Sequence, residues 1–265
     1  MIDYAIILAA DVPGSRNVLS LTAQVGHIVD GVKIAAATLL ESGVSLIGRI
    51  RDVVEDKPIL VDLKIADIGF RTSKGWEGTN AKTIKSLQNC GATHVTVHGF
   101  PGPFSVAEAV ETCHALGLKA LLLPTMSHPG AELFFRRPIL TGEVPAQLRR
   151  VHPDPEFSRN HEITDVTEAI LAIGEALYAD GYIGPATRPD DLRRYRRFTK
   201  KPIWCPGFGR QDSLGRSLET QLREWAAIVG PNSAAIVGSS IYSAADPAAA
   251  ALEAAELRNK VTSGL

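Results

Sequence analysis

Eight short runs rich in Val, Ile, Leu and Ala recur along the chain, with amphipathic stretches between them. They fall at residues 5–10, 31–35, 59–65, 94–98, 120–124, 182–184, 203–205 and 234–237. A run that is apolar at almost every position suits a strand buried on both faces, and helical spacers between such strands mark a parallel sheet. The spacers carry helical stripes, with Val44, Ile47, Ile50 and Val54 in one and Val106, Val110 and Cys113 in another. Eight units fit a closed sheet better than an open one, so the expected fold is α/β, a single (β/α)8 TIM barrel over residues 1–265. A doubly wound open sheet is the competing arrangement.

Two stretches exceed what a minimal barrel needs. One is 69–78 (GFRTSKGWEG) after the third run, and the other is 136–162, rich in proline and charge. Both are expected as insertions. The second reads as a surface excursion rather than a lid, and it has room for a short helix at 145–151.

Composition narrows the function. The chain is 45% hydrophobic and 22% charged, with a net charge of -1, so it lacks the basic surplus of a nucleic-acid binder. Cys90, Cys113 and Cys205 form no C-x-x-C pair, which argues against a disulfide framework or a zinc site and for reduced thiols. Met1 leads into an apolar strand with no basic n-region, and no apolar run has the length of a membrane span. The expectation is a soluble, cytoplasmic protein.

Several of the runs end in turn chemistry or a polar group: Asp11, His98-Gly99, Ser127, Gly184-Pro185, Pro206-Gly207 and Gly238-Ser239. In a barrel these positions share the C-terminal rim, where active sites are built. The third run reads Val61-Asp62-Leu63-Lys64-Ile65-Ala66-Asp67. Strand alternation points Asp62 and Lys64 to one face and Leu63 and Ile65 to the other. Charges inside so apolar a run are costly to desolvate. They act either as a buried ion pair fixing the barrel or as a site, and charges at a barrel rim favour the site. Lys33 in the second run poses the same problem, and Asp11 closes the first. Two lysines alternating with two or three aspartates would give every charge an opposite partner. Asp11 alone also reads as a helix cap. Asp67 lies beyond the strand and either folds back to the site or reaches a neighbouring subunit.

The motif Asp62-x-Lys64-x-x-Asp67, with Lys33 and Asp11 upstream, resembles the orotidine 5'-monophosphate decarboxylase family. Further stretches agree in order along the chain: residues 97–102 (VHGFPG), 126–132 (MSHPGAE), 184–189 (GPATRP), 206–209 (PGFG), and 236–238 (IVG) followed by 240–242 (SIY). The MSHPGAE and GPATRP stretches point to the archaeal-type branch. The resemblance implies a homodimeric decarboxylase of pyrimidine biosynthesis that converts OMP to UMP and CO2 with neither metal nor cofactor. It implies that Lys64 delivers the proton to C6 of the pyrimidine and that Asp62 crowds the departing carboxylate. Lys33 and Asp11 would hold the network and contact the ribose, and Asp67 would arrive from the partner subunit. It further implies that Ser127 hydrogen-bonds the pyrimidine edge, a position that also reads as a serine turn ahead of His128-Pro129. His98 is expected as a rim histidine without a chemical role.

Phosphate is expected at the loops after the seventh and eighth strands, where Pro206, Gly207, Arg210 and Gln211 face Gly238 and Ser239. Here the chain departs from the family, which has arginine where this chain has Ser239. Losing one charge-assisted contact costs on the order of 1.5–3 kcal/mol. Arg210 is the expected substitute, since a guanidinium can fork around phosphate. The second departure is the insertion at 69–78, which leaves two candidates, Thr72 and Thr79, for a threonine that contacts substrate.

Three other readings compete. A magnesium-dependent phosphosugar decarboxylase or aldolase of the same superfamily would have a glutamate at Lys33, where an ammonium repels the metal. A barrel that binds nucleotide without turning it over is suggested by Ser239. A Schiff-base aldolase needs a lysine that gives up its charge, against the influence of its carboxylate neighbours.

Overall fold

The computed structural model describes residues 3–128, 130–140, 142–152, 162–209 and 215–264. In chain order its strands are β1 (Tyr4–Ala9), β2 (Gly31–Ala35), β3 (Ile59–Ile65), β4 (Arg71–Thr72), β5 (Gly75–Trp76), β6 (His94–His98), β7 (Lys119–Leu123), β8 (Gly181–Ile183), β9 (Ile203–Pro206) and β10 (Ser233–Val237). The helices used below are α3 (Ser45–Val54), α4 (Thr79–Lys85), α5 (Pro103–Ala115), α7 (Glu143–Leu148), α8 (Val166–Ala176), α9 (Pro189–Phe198) and α11 (Ser239–Tyr242); the numbers between belong to the remaining helices in chain order. Eight strands close a parallel barrel in the order β1-β10-β9-β8-β7-β6-β3-β2, and β4 and β5 form a separate antiparallel hairpin. The open-sheet alternative is thereby overturned.

Alternation along each strand explains why the runs are apolar throughout. Ile7, Leu60, Leu121, Leu123, Ile183, Trp204 and Ile236 fill the barrel interior. Their neighbours Ile6, Leu8, Val61, Leu122, Tyr182, Ile203 and Val237 face the helices. A parallel strand wrapped by helices has no solvated face, so polar residues survive only where something pairs with them.

The helical stripes hold with one change. Ile47, Ile50 and Val54 of α3 and Val106, Val110 and Cys113 of α5 are buried, whereas Val44 is 41% exposed. Val44 precedes the first turn of α3, so it lies off the stripe. The insertion at 69–78 contains the β4–β5 hairpin. The one at 136–162 contains α7, a turn earlier than the stretch at 145–151, and its residues 153–161 lie outside the described part. No helix among the described residues is long and apolar enough to cross a membrane.

Candidate active site

The C-terminal ends of β1, β2 and β3 bring four charges into one chain of contacts. The Lys33 ammonium lies 2.9 Å from both oxygens of Asp11 and 3.6 Å from Asp62 Oδ2. The Lys64 ammonium lies 2.9 and 2.8 Å from the two oxygens of Asp62. The order Asp11–Lys33–Asp62–Lys64 alternates in sign and sums to zero. These residues line a cleft of about 230 Å³ whose other walls include Leu60, Thr96, Met126, Ser127, Pro206 and Ile236.

Burial alone would raise the Asp62 carboxyl. The charges of Lys33 and Lys64, with hydrogen bonds from Lys64 and Thr96, outweigh it and hold the group below the usual aspartate value. Asp62 therefore stays a carboxylate facing the cleft. Lys33 is enclosed between two carboxylates, its side chain 9% exposed, while that of Lys64 is 40% exposed and faces the open space. Of the two lysines, Lys64 is the one a bound molecule can reach.

Lys64 reaches that position through a break in its strand. The β3–β6 register runs from Val61↔Val95 to Ile65↔Val97, so four steps on β3 match two on β6. Within this bulge Lys64 takes φ +49°, a left-handed conformation that costs a non-glycine residue about 1–2 kcal/mol. Thr96 secures it: its hydroxyl accepts from the Lys64 N–H at 2.8 Å and donates to Asp62 Oδ1 at 2.9 Å. Asp62 and Lys64 do share a face, as alternation leads one to expect, but a bulge rather than a regular pleat puts them there. Thr96 is the functional residue that the sequence conceals. It looks like an ordinary β-branched strand residue, and its one signal is that it shares the inward register of His94 and His98.

His98 is buried among Phe100 and Phe135, and burial, with a smaller push from the Lys64 charge, lowers its pKa to about 4. Its Nδ1 accepts from the Phe100 N–H at 3.4 Å, as a neutral ring can. Cys113 and Cys205 are buried thiols; burial raises Cys113 to about 12 and Cys205 further. Among the described residues that line the cleft there is no histidine and no cysteine.

Other expected residues are placed less centrally. Ser127 lines the cleft, on a loop secured by Arg188, whose guanidinium donates to the Met126 carbonyl at 2.7 Å. Pro206 lines it too, Gly207 follows the end of β9, and Gly238 and Ser239 cap and open α11 directly after β10. A Cβ on Gly209 would fall 1.8 Å from Ser240 Oγ, so the loops touch where only glycine fits. Arg210 and Gln211 lie outside the described residues. Asp67 does not join the charge chain: its side chain is exposed and, among the described residues, accepts only from the Ile68 N–H at 2.7 Å. Neither threonine candidate lines the cleft. Thr72 belongs to the β4–β5 hairpin, and Thr79 opens α4 on the outer surface with Ile68 and Phe70. Among the described residues no three His, Cys, Asp or Glu side chains converge to hold a metal ion.

A (β/α)8 barrel with an alternating lysine–carboxylate chain at its C-terminal mouth is built for chemistry on a small anionic substrate. Comparisons with known proteins make this specific. Residues 4–147 match the model of the Orotidine 5'-phosphate decarboxylase / HUMPS family, and the chain belongs to that family. It is 31% identical over 244 residues to the orotidine 5'-phosphate decarboxylase of Methanosphaera stadtmanae, covering 91% of each chain. It is 27% identical over 248 residues to that of Methanococcoides burtonii, covering 93% of each. Among solved structures, orotidine 5'-monophosphate decarboxylase from Methanocaldococcus jannaschii complexed with inhibitor BMP superposes with a TM-score of 0.74 at 26% identity. That match covers 97% of this chain and 99% of the other.

Proposed function

We propose that this chain is an orotidine 5'-monophosphate decarboxylase, converting OMP to UMP and CO2 as a cytoplasmic homodimer. The observation that carries the reading is the Asp11–Lys33–Asp62–Lys64 chain, intact and open to the cleft on the Lys64 side.

The chemistry follows from the charges. With the substrate carboxylate set against Asp62, two like charges meet in a partly dry site, and that repulsion vanishes when neutral CO2 departs. The C6–carboxyl bond breaks and leaves its electron pair on C6. No ring orbital absorbs that pair, so the adjacent Lys64 ammonium stabilises it and then transfers a proton to C6. Lys64 recovers its proton from water. Asp11 and Lys33 hold the network and meet the ribose, Ser127 the pyrimidine edge, and the loops at Pro206–Gly207 and Gly238–Ser239 the phosphate. Asp67, exposed and outside its own cluster, would act from the partner subunit.

Lys33 supports this reading over the magnesium-dependent one. Its ammonium fills the space between two carboxylates that a divalent cation would need. The test is the loss of orotate ultraviolet absorbance when OMP meets the purified protein in EDTA. Turnover by the wild type supports the reading. Tight UMP binding without turnover would replace it with a nucleotide-binding barrel, and turnover of phosphosugar acids only with added magnesium would replace it with the metal-dependent enzyme.

A further inference from the structure

Asp67 is gripped by its backbone while its side chain is left free. Asn80, fully buried in α4, accepts from the Asp67 N–H at 3.0 Å and donates to the Asp67 carbonyl at 2.9 Å. Ser105, 1% exposed in α5, donates to the same carbonyl at 2.6 Å and accepts from Asn80 at 3.1 Å. One amide side chain that pairs with both polar groups of a residue imitates an adjacent strand and restricts that residue's φ and ψ.

The grip survives the insertion that separates its parts. The Trp76 indole N–H donates to Glu111 at 2.6 Å, and Trp76 meets Phe104 edge-on at 6.2 Å, both on α5. The Gly78 N–H donates to buried Glu108 at 2.6 Å, and a Cβ on Gly78 would fall 2.5 Å from that carboxylate. The hairpin is thus fastened to the helix that carries Ser105, and its far end returns Asn80 to Asp67.

Against this effort stands the Asp67 carboxylate itself, exposed, in none of the described ion pairs, and flanked by Ile68 and Phe70 at 74% and 53% exposure. A rigid backbone beneath a carboxylate that bonds to no other side chain among the described residues aims that carboxylate outward. We propose that Asn80 and Ser105 are positioning residues that present Asp67 to the active site of a second copy of the chain. The inference rests on the dimeric reading above.

Heterodimers test it. Lys64→Ala and Asn80→Ala subunits carrying different affinity tags are co-expressed and purified through both tags. The Asn80→Ala homodimer is expected to lose roughly 100-fold in kcat/KM, the effect of a carboxylate misplaced by about 1 Å. In the heterodimer, the site with intact Lys64 receives Asp67 from the subunit with intact Asn80. Its activity is therefore expected to return to about half that of the wild-type dimer, one good site in two. No recovery above the Asn80→Ala level would place the action of Asn80 within its own chain and overturn the proposal. A parallel heterodimer of Lys64→Ala with Asp67→Ala tests the dimeric reading itself. Recovery there but not with Asn80→Ala sinks the clamp alone, and recovery in neither sinks both. Should Asn80→Ala not fold, Ser105→Ala removes a single donor and is expected to show a smaller loss with the same recovery.

Discussion

Two charged networks flank the barrel mouth, and they are built from different cations. At β1–β3 the cations are Lys33 and Lys64, interleaved with Asp11 and Asp62. On the opposite side, α8 and α9 meet the start of the 136–162 excursion through arginines alone. Arg194 lies 2.7 Å from Asp165 and 2.9 Å from Glu168, Arg188 lies 2.9 Å from Asp191, and Arg136 pairs with Asp191 as well. Glu168 and Asp191 are 4% exposed there. A guanidinium presents a planar fork that fixes carboxylates in place and keeps its proton, whereas an ammonium is a compact charge that can give one up. The arginine network reaches the cleft through Arg188, which donates to the Met126 carbonyl and so sets the loop of Ser127. The difference teaches that one network is open to the cleft and carries groups able to move a proton, while the other holds a wall.

The largest expected effect separates them by function. Lys64→Ala should lower kcat by about 10⁴-fold, since it removes both the proposed proton donor and the charge proposed to stand beside C6. Its Tm should move by only a few degrees, because Asp62 keeps Lys33 and Thr96. Arg194→Met should do the reverse. Removing one partner from buried carboxylates costs about 3 kcal/mol, seen as a fall in denaturant midpoint, while the folded enzyme keeps kcat within about threefold. A large catalytic loss in Arg194→Met would break the comparison.

A smaller effect tests how the lysine side is held. Thr96→Val deletes the hydroxyl that supports both Asp62 and the bulged Lys64 backbone. It should lower kcat roughly tenfold, a loss of about 1.4 kcal/mol, and raise the acid limb of the pH profile, because one of the bonds that keep Asp62 ionised is gone.

The smallest effects concern pH. Asp62 has a lowered folded-state value, so its contribution to stability is complete above the ordinary 3.8 and is lost as pH falls through the lowered one. Asp165 is raised, by burial first and then by Glu168 and Asp191 against the Glu168 N–H and Arg136. Its contribution has the opposite sign and declines as pH rises from 3.8 through the raised value. In scans of Tm against pH, Asp62→Asn should remove a rising slope and Asp165→Asn a falling one. His98, held near 4, should add no inflection to kcat/KM between about pH 6 and 8, and His98→Gln should leave that window flat.

The barrel and the lysine network were legible in the sequence for one physical reason. A strand buried on both faces must be apolar, so Asp62, Lys64 and Lys33 stood out as exceptions that needed partners. What escaped reading depends on backbone detail or on distance. The bulge at Lys64 is a left-handed φ that no residue type announces, and Thr96 is a favoured strand residue whether or not it bonds a carboxylate. The arginine network draws on residues from Arg136 to Arg194, which look in sequence like an ordinary solvated surface. Asn80 and Ser105 lie 13 and 38 positions from Asp67, and only the folded chain brings them to it. Asp67 was expected either to fold back to its own site or to reach a neighbouring subunit, and the fold excludes the first.

The most direct test of the central claim exchanges one cation for the other at the position that matters. Lys64→Arg keeps the charge and a partner for Asp62 but replaces a group that can give its proton to C6 with one that cannot. The measurement is kcat on OMP alongside the Kd for UMP. Loss of decarboxylation by about 10³-fold or more, with UMP affinity within about tenfold of wild type, is the expected result. A variant that keeps its turnover would contradict the account, since the charge alone would then suffice and the proton would have to come from elsewhere.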